Sequence, residues 1–262
     1  MIIDFHTHIF PPKIVEKALN FLSEKSKIKP FTNGTLEELL ISMEKSGISI
    51  SVNMPVATHP QQTISINEWC KSIQSEKIIS FASYHPALKN PKLICEIRKK
   101  SFLGIKLHPE FQNFSPDDKS LEDVWKACID NELIVFFHAG ADFAFNPPFK
   151  SNPAKFAKLH EKFPELKIVL AHFGSWKMWN ELERTLLKSN IFLETSFTLG
   201  FIEEQYFVEL SRKHGIGKII FGTDSPWRSQ ADEIKKISSI PFSKQELNAI
   251  LYQNAKHLLK IK

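Results

Sequence analysis

The stretch Ile2-Ile3-Asp4-Phe5-His6-Thr7-His8-Ile9-Phe10-Pro11-Pro12 decides how the 262-residue chain is read. Its apolar start has the length and composition of a short strand, and His6 and His8 close it. Residues two apart on a strand point to the same side, so both imidazoles can share one cation. Imidazole is a borderline ligand that suits zinc, nickel, copper or iron. Alone, a His-x-His pair is a weak signal, and its weight depends on what the other strand ends carry.

Further short runs rich in Ile, Val and Phe recur along the chain. With Ile2–His6 they give eight strand candidates: Ile48–Met54, Ile78–Tyr84, Leu103–His108, Leu133–His138, Lys167–His172, Ile191–Thr195 and Lys218–Gly222. Between them apolar residues take helical spacing, as in Thr35–Ser46, Leu121–Asn131, Trp176–Ser189 and Glu203–His214. Residues 31–34 and the Pro-rich 145–153 read as loops, and Pro11-Pro12 opens an extra helix. Eight strands each followed by a helix give parallel strands with right-handed crossovers. An open doubly wound sheet would place its site near one switch point beside a Gly-rich turn after the first strand, and that turn is absent. Ionisable residues instead end strands throughout the chain: Lys106 and His108, His138, His172 and Asp224. In a closed barrel those ends meet at one mouth. The expectation is a single (β/α)8 TIM barrel over residues 1–262, α/β in class, with a metal site at the C-terminal ends of the strands. No repeat, low-complexity segment or linker divides it.

A histidine after an apolar strand can be a hydrogen-bonded core residue, and His160 and His214, on helical patterns, have a bland place in solvent. Five histidines and an aspartate ending strands one, four, five, six and eight are harder to explain that way. Here the chain resembles the amidohydrolase superfamily of metal-dependent (β/α)8 hydrolases. His6-Thr7-His8, His138, His172 and Asp224 carry the likeness. The stretch Asp4 to Pro12 and Phe221-Gly222-Thr223-Asp224-Ser225-Pro226-Trp227 look most like the branch that contains aminocarboxymuconate-semialdehyde decarboxylase.

The resemblance implies His6, His8 and His138 as metal ligands and Asp224 as a ligand that also handles protons. It makes His172 the acid/base of a one-metal site or a ligand to a second metal. Lys106 stands where two-metal members place a carbamylated lysine or glutamate bridge. Unmodified, it would orient an anionic substrate. His108 lies outside the usual ligand set and is read as a supporting hydrogen-bonding or substrate residue. Such a donor set holds a divalent ion while leaving a position for water, whose pKa the ion lowers to about 7. Zn2+ is expected first, as one ion or two, with Mn2+ or Fe2+ as alternatives.

Substrate contacts are sought in the loops after the strands: His59, His85, Trp227 and Arg228. Arg228 fits a bidentate grip on a carboxylate as well as a helix cap. Phe143, Phe145 and Phe149 in the loop 140–153 suit an apolar lid or a subunit contact, which leaves a homodimer open. Phe173, Trp176 and Trp179 could line a pocket, although 22 phenylalanines make any one aromatic weak evidence.

The net charge of +5 comes from lysines spread along the chain, with short clusters such as Arg98-Lys99-Lys100. That is the pattern of solvated helix faces, not of a nucleic-acid footprint. Cys70, Cys95 and Cys128 form no Cys-x-x-Cys pair and read as buried free thiols in a reducing compartment. No leader pattern or bilayer-length apolar run is evident, so a cytoplasmic protein acting on small molecules is expected, without nucleic-acid or membrane partners. The first reading of function is hydrolysis of a small, anionic ester, lactone or amide by metal-activated water. A non-oxidative decarboxylase or hydratase on the same site is the alternative. Behind these stand a phosphoesterase, which would need more carboxylates, and a catalytically silent scaffold barrel, which would show broken ligand positions.

Overall fold

The computed structural model describes residues 1–261. Its barrel strands are β1 Ile3–Thr7, β2 Ile50–Asn53, β3 in two pieces (Ile78–Ser80 and Ala82–Ser83), β4 Gly104–Leu107, β5 Ile134–Phe137, β6 Lys167–Leu170, β7 Phe192–Glu194 and β8 Ile219–Ile220. All neighbours pair in parallel and in sequence order. The third strand breaks at Phe81: its first piece pairs with β2 and its second with β4. The amide of Phe81 still donates to Asn53 O at 3.0 Å, so the wall continues across the break.

The ring closes between β8 and β1. Phe5 N donates to Phe221 O at 3.0 Å and Asp224 N to His6 O at 2.7 Å, and Thr7 bridges Ser225 in parallel. Buried Asp4 fastens the seam, accepting from Thr223 N at 2.9 Å, Thr223 Oγ1 at 2.6 Å and Gln230 Nε2 at 2.7 Å. Burial raises its pKa to about 6, with the Thr223 and Gln230 hydrogen bonds opposing. The expected closed barrel is therefore present, with most strands shorter than the apolar runs that announced them.

Alternation along each strand feeds two layers of core. Ile134 and Phe136 join Phe5, Phe81, Val169 and Ile220 inside the barrel. Val135 and Phe137 face outward with Ile105, Leu107 and Ile168 against the helices. Parity along β1 is interrupted, because its register with β2 shifts between Asp4 and Thr7. A bulge re-aims side chains, and as a result adjacent Phe5 and His6 both meet the Phe136 ring.

The connecting helices are α1 Val15–Ser26, α2 Leu36–Ser46, α3 Gln62–Ser72, α4 Pro91–Lys99, α5 Glu122–Asp130, α6 Pro153–Lys162, α7 Trp179–Thr185, α8 Glu204–His214 and α9 Gln230–Ser239. Thr35 caps α2 by accepting from Glu38 N, and Glu203 caps α8 through Gln205 N and Tyr206 N. The extra helix after β1 exists but starts at Val15, since both Ile14 N and Val15 N are taken by Pro11 O. Beyond the reach of the sequence reading, α10 Lys244–Asn248, a π-turn over Ala249–Gln253 and α11 Asn254–Leu259 finish the chain. Ala255, Leu258 and Leu259 pack on the interior cluster.

Three expectations need correction. His214 is buried, with Nε2 2.8 Å from Ile191 O just before β7, because a buried polar ring needs a hydrogen-bond partner. His160 is half-buried and accepts from Asn190 N. Cys95 is only partly buried, whereas Cys70 and Cys128 are in the core, and all three thiols are free. Among the described residues, no helix is long and apolar enough to cross a membrane.

Candidate metal centre

The bulge in β1 turns His6 into the barrel mouth, where its two nitrogens meet different partners. Nδ1 lies 2.9 Å from Glu194 Oε2 and 3.0 Å from Ser196 Oγ. A carboxylate only accepts, so the proton sits on Nδ1 and the Nε2 lone pair faces the mouth. There Nε2 stands 3.1 Å from His8 Nε2 and 3.4 Å from Asp224 Oδ1, while His8 Nε2 is 3.0 Å from the same oxygen. Ligands about 2.1 Å from one ion are about 3.0 Å apart at a right angle and about 3.4 Å apart at the tetrahedral angle. The spacing of the three donor atoms fits a shared divalent cation.

Glu194 supports the same conclusion from behind. It is fully buried, and burial pushes its carboxyl well above the usual carboxylate range, with the Ser196 hydrogen bonds opposing. A buried charge needs a partner. A cation beyond the imidazole would supply it, in the carboxylate–histidine–metal arrangement that orients metal ligands. Gly222 leaves room for this carboxylate: a Cβ there would lie 2.2 Å from Glu194 Oε1.

Across the mouth, His172 Nδ1 faces Ser196 O at 3.1 Å, which fixes the proton on Nδ1. Its Nε2 points at His138 Nδ1, 3.1 Å away. His138 Nε2 faces Ala141 O at 3.3 Å and Asp142 Oδ2 at 3.6 Å, so its proton is on Nε2. Two lone pairs thus confront each other, a contact that a proton or metal ion between them would relieve. Burial is the main cause holding the imidazoles of His6 and His138 well below their ordinary pKa and bringing His172 down to about 4, so all three are neutral at pH 7. His108 stacks on His138, ring centroids 4.1 Å apart, and its Nε2 lies 3.3 Å from Asp142 Oδ2.

Lys106 is 1% exposed, with Nζ 3.3 Å from His6 Nε2 and 4.3 Å above the centre of the Phe136 ring. Burial lowers its pKa to about 8, with Asp224 and Glu194 opposing. Below that pH it is a cation whose ring contact is favourable only while it keeps its charge. The backbone around the mouth is strained: His172, Phe197 and Asp224 have φ of 58°, 53° and 62°, where non-glycine residues seldom sit.

His6, His8, Lys106, His138, His172 and Asp224 line one cavity of about 330 Å³, with His108, Asp142 and Trp227. The structure thus brings every residue of the expected metal and catalytic set to one place. His138 nevertheless turns its ring to His172 and Asp142, away from the His6–His8–Asp224 cluster. Other expected contacts lie elsewhere. His59 is exposed and does not line the cavity. His85 is buried and uses Nδ1 to cap the turn at Ala87 N. Arg228 sits at the rim, not in the lining, its Nε 3.5 Å from Glu233 Oε1 and its guanidinium 4.8 Å from the Phe197 ring centre. The next helix is capped by Ser229 instead. In the aromatic loops, Phe143 and Trp176 line the cavity, while Phe173 packs in the core on Phe207.

Sequence reasoning missed Glu194, Asp142 and Ser196. Glu194 had a signal, a carboxylate ending the apolar run Ile191-Phe192-Leu193. Asp142 sits in a loop whose path no periodicity foretells.

The family model described as amidohydrolase matches residues 3–261. Solved structures share the fold over nearly their whole length. An uncharacterized TIM-barrel protein from Bordetella bronchiseptica is 19% identical with a TM-score of 0.79, covering 99% of this chain and 98% of its own. The 5-carboxyvanillate decarboxylase of Sphingomonas paucimobilis is 14% identical with a TM-score of 0.75, covering 100% and 99%. A dihydroxybenzoic acid decarboxylase from Polaromonas, solved with manganese and the inhibitor 2-nitroresorcinol, is 16% identical with a TM-score of 0.77, covering 99% and 97%. No curated protein sequence matches the chain.

Proposed function

Because the chain belongs to the amidohydrolase family, we propose that it is a metal-dependent decarboxylase that releases CO2 from a small carboxylic acid with an aromatic or otherwise apolar body. This reverses the order in which the sequence alone placed hydrolysis and decarboxylation. Lys106 carries the reading. An unmodified ammonium is attracted to the Phe136 face over which Nζ lies, and a buried ammonium in the cavity lining suits a substrate carboxylate. The decarboxylase relatives, one of them holding manganese, support the same choice.

His6, His8 and Asp224 would hold the ion, with His138 and His172 across the mouth as further donors. A bound Zn2+ or Mn2+ supplies Lewis-acid charge to a substrate oxygen. Lys106 Nζ binds and orients the carboxylate. Trp227, Phe143 and Trp176 wall the cavity and exclude water from the reacting carbon. When the bond to the carboxyl carbon breaks, its electron pair stays on the substrate carbon and CO2 departs. That carbon then takes a proton. Asp224 turns Oδ1 to the two imidazoles, so Oδ2 is the atom that carries the proton, and solvent restores it.

The test is a panel of aromatic and arylalkyl carboxylic acids offered to zinc- or manganese-loaded protein, with CO2 measured directly. The expected result is CO2 with an equal amount of product, carrying one deuterium at the vacated carbon in D2O. Turnover of esters, lactones or amides with no CO2 from any acid would return hydrolysis to first place.

A further inference from the structure

The cavity lining has two unlike parts. One is the cluster around Lys106; the other is built by α1 and α3, helices outside the strand ends. Ile14, Ala18, Phe21 and Leu22 recur at the spacing of one helical face and all line the cavity, with Ile66 and Trp69 of α3 also in its lining. In a surface helix such a stripe normally packs into the core. In α1 only Leu19 is buried, while Ile14 is 47% and Phe21 49% exposed. The apolar face of this helix therefore serves the cavity more than the core.

Two polar acceptor or hydroxyl atoms of that part are already engaged. Gln62 Oε1 accepts from Thr58 N, Thr58 Oγ1 and His59 N, at 2.9, 3.2 and 3.1 Å. Ser26 Oγ donates to Leu22 O at 2.8 Å. These atoms do not call for a polar or charged ligand group near α1.

We infer that the substrate is an elongated amphipathic acid, with its carboxylate at Lys106 and an alkyl or arylalkyl body extending to the α1 face. The inference rests on the proposed function only for the position of the carboxylate. It assigns specificity to Ala18, Phe21 and Leu22, which touch the tail and not the reacting atoms.

Calorimetric titration of the metal-loaded protein with benzoate and its 4-methyl, 4-propyl and 4-pentyl homologues tests this, with CO2 release followed on the same acids. Burying each methylene tightens binding by up to about fourfold, so the pentyl acid should bind about tenfold or more tighter than benzoate. Ala18→Trp, which fills the α1 end, should collapse that ratio. Phe21→Ser, which removes apolar surface without adding bulk, should reduce it and covers the case in which the tryptophan variant does not fold. Equal affinities along the series, or a ratio unchanged in both variants, would overturn the inference. Chain-length dependence without CO2 from these or any other acid of the panel would keep it and remove the decarboxylase reading; CO2 release with flat affinities would do the reverse.

Discussion

Glu194 and Gly222 face each other so closely that a Cβ on Gly222 would stand 2.2 Å from Glu194 Oε1 and 2.9 Å from His6 Cβ. A glycine of β8's exit thereby makes space for the carboxylate that orients His6. Gly222→Ala should displace one or both groups. The expected outcome is a loss of about 1–3 kcal/mol in stability from overpacking, read by denaturant unfolding, together with weaker metal binding.

Glu194→Gln keeps the shape and removes the charge behind His6, the proposed ligand. Supporting partners of this kind contribute about 10- to 100-fold to metal affinity. Competition with a chelator should show a loss in that range, with the far-ultraviolet circular dichroism of the wild type retained. Unchanged affinity would separate Glu194 from the metal site.

Lys106 and Arg228 separate by burial. Lys106→Met should leave metal content intact and lower kcat/KM by about 30-fold or more, since losing one member of a buried charge pair costs about 2 kcal/mol or more. Arg228→Ala, at the rim beside Glu233 and Phe197, should cost much less and act mainly on KM. The opposite ranking in steady-state kinetics would move the carboxylate grip to Arg228.

The chain also carries a pH-dependent clasp far from the mouth. Arg212 pairs with both oxygens of Glu246 at 2.8 and 3.0 Å, and Ser243 N donates to Glu246 Oε2 at 2.7 Å. The Arg212 hydrogen bonds, then that of Ser243, bring the Glu246 carboxyl down to about 2. A folded-state pKa below the unfolded value of about 4.3 gives stability that is complete above that value and disappears as pH falls toward about 2. The melting temperature of Glu246→Gln should therefore lie below that of the wild type at pH 6, with the gap narrowing from pH 4 downward. A constant gap would show that the clasp acts through packing.

Removing the metal should act on the mouth before the barrel. With a chelator present, the His6, His8, Asp224 cluster would lose the cation proposed for it, while the Asp4–Thr223–Gln230 seam would keep its hydrogen bonds. Activity should vanish and return with Zn2+ or Mn2+, while hydrogen exchange slows at His6 and Asp224 amides only on reloading. Global unfolding on chelation would make the ion a structural element.

How much of this was legible depends on how local its cause is. Buried parallel strands read as short continuous apolar runs and helices by a period of 3.6 residues, so β5 with Ile134-Val135-Phe136-Phe137 was readable, as was α2 within the pattern Thr35–Ser46. A histidine directly after an apolar strand is likewise a local signal, and His6, His8, His138 and His172 do meet at one mouth. The break of β3 at Phe81 and the register shift in β1 are not local. They arise where short strands must curve to close a ring, and a bulge is the device that permits it.

The sequence by itself determined the alternation of strands and helices and the ionisable residues at their ends, because side-chain spacing and local propensity suffice for both. Only the tertiary structure decided what those residues face. It brought Glu194 behind His6 from 188 positions away, engaged His85 in a turn, left Arg228 at the rim and turned the α1 stripe toward the cavity. Contacts between distant strands and loops depend on how the whole ring closes, and no spacing along the chain encodes a distance across it.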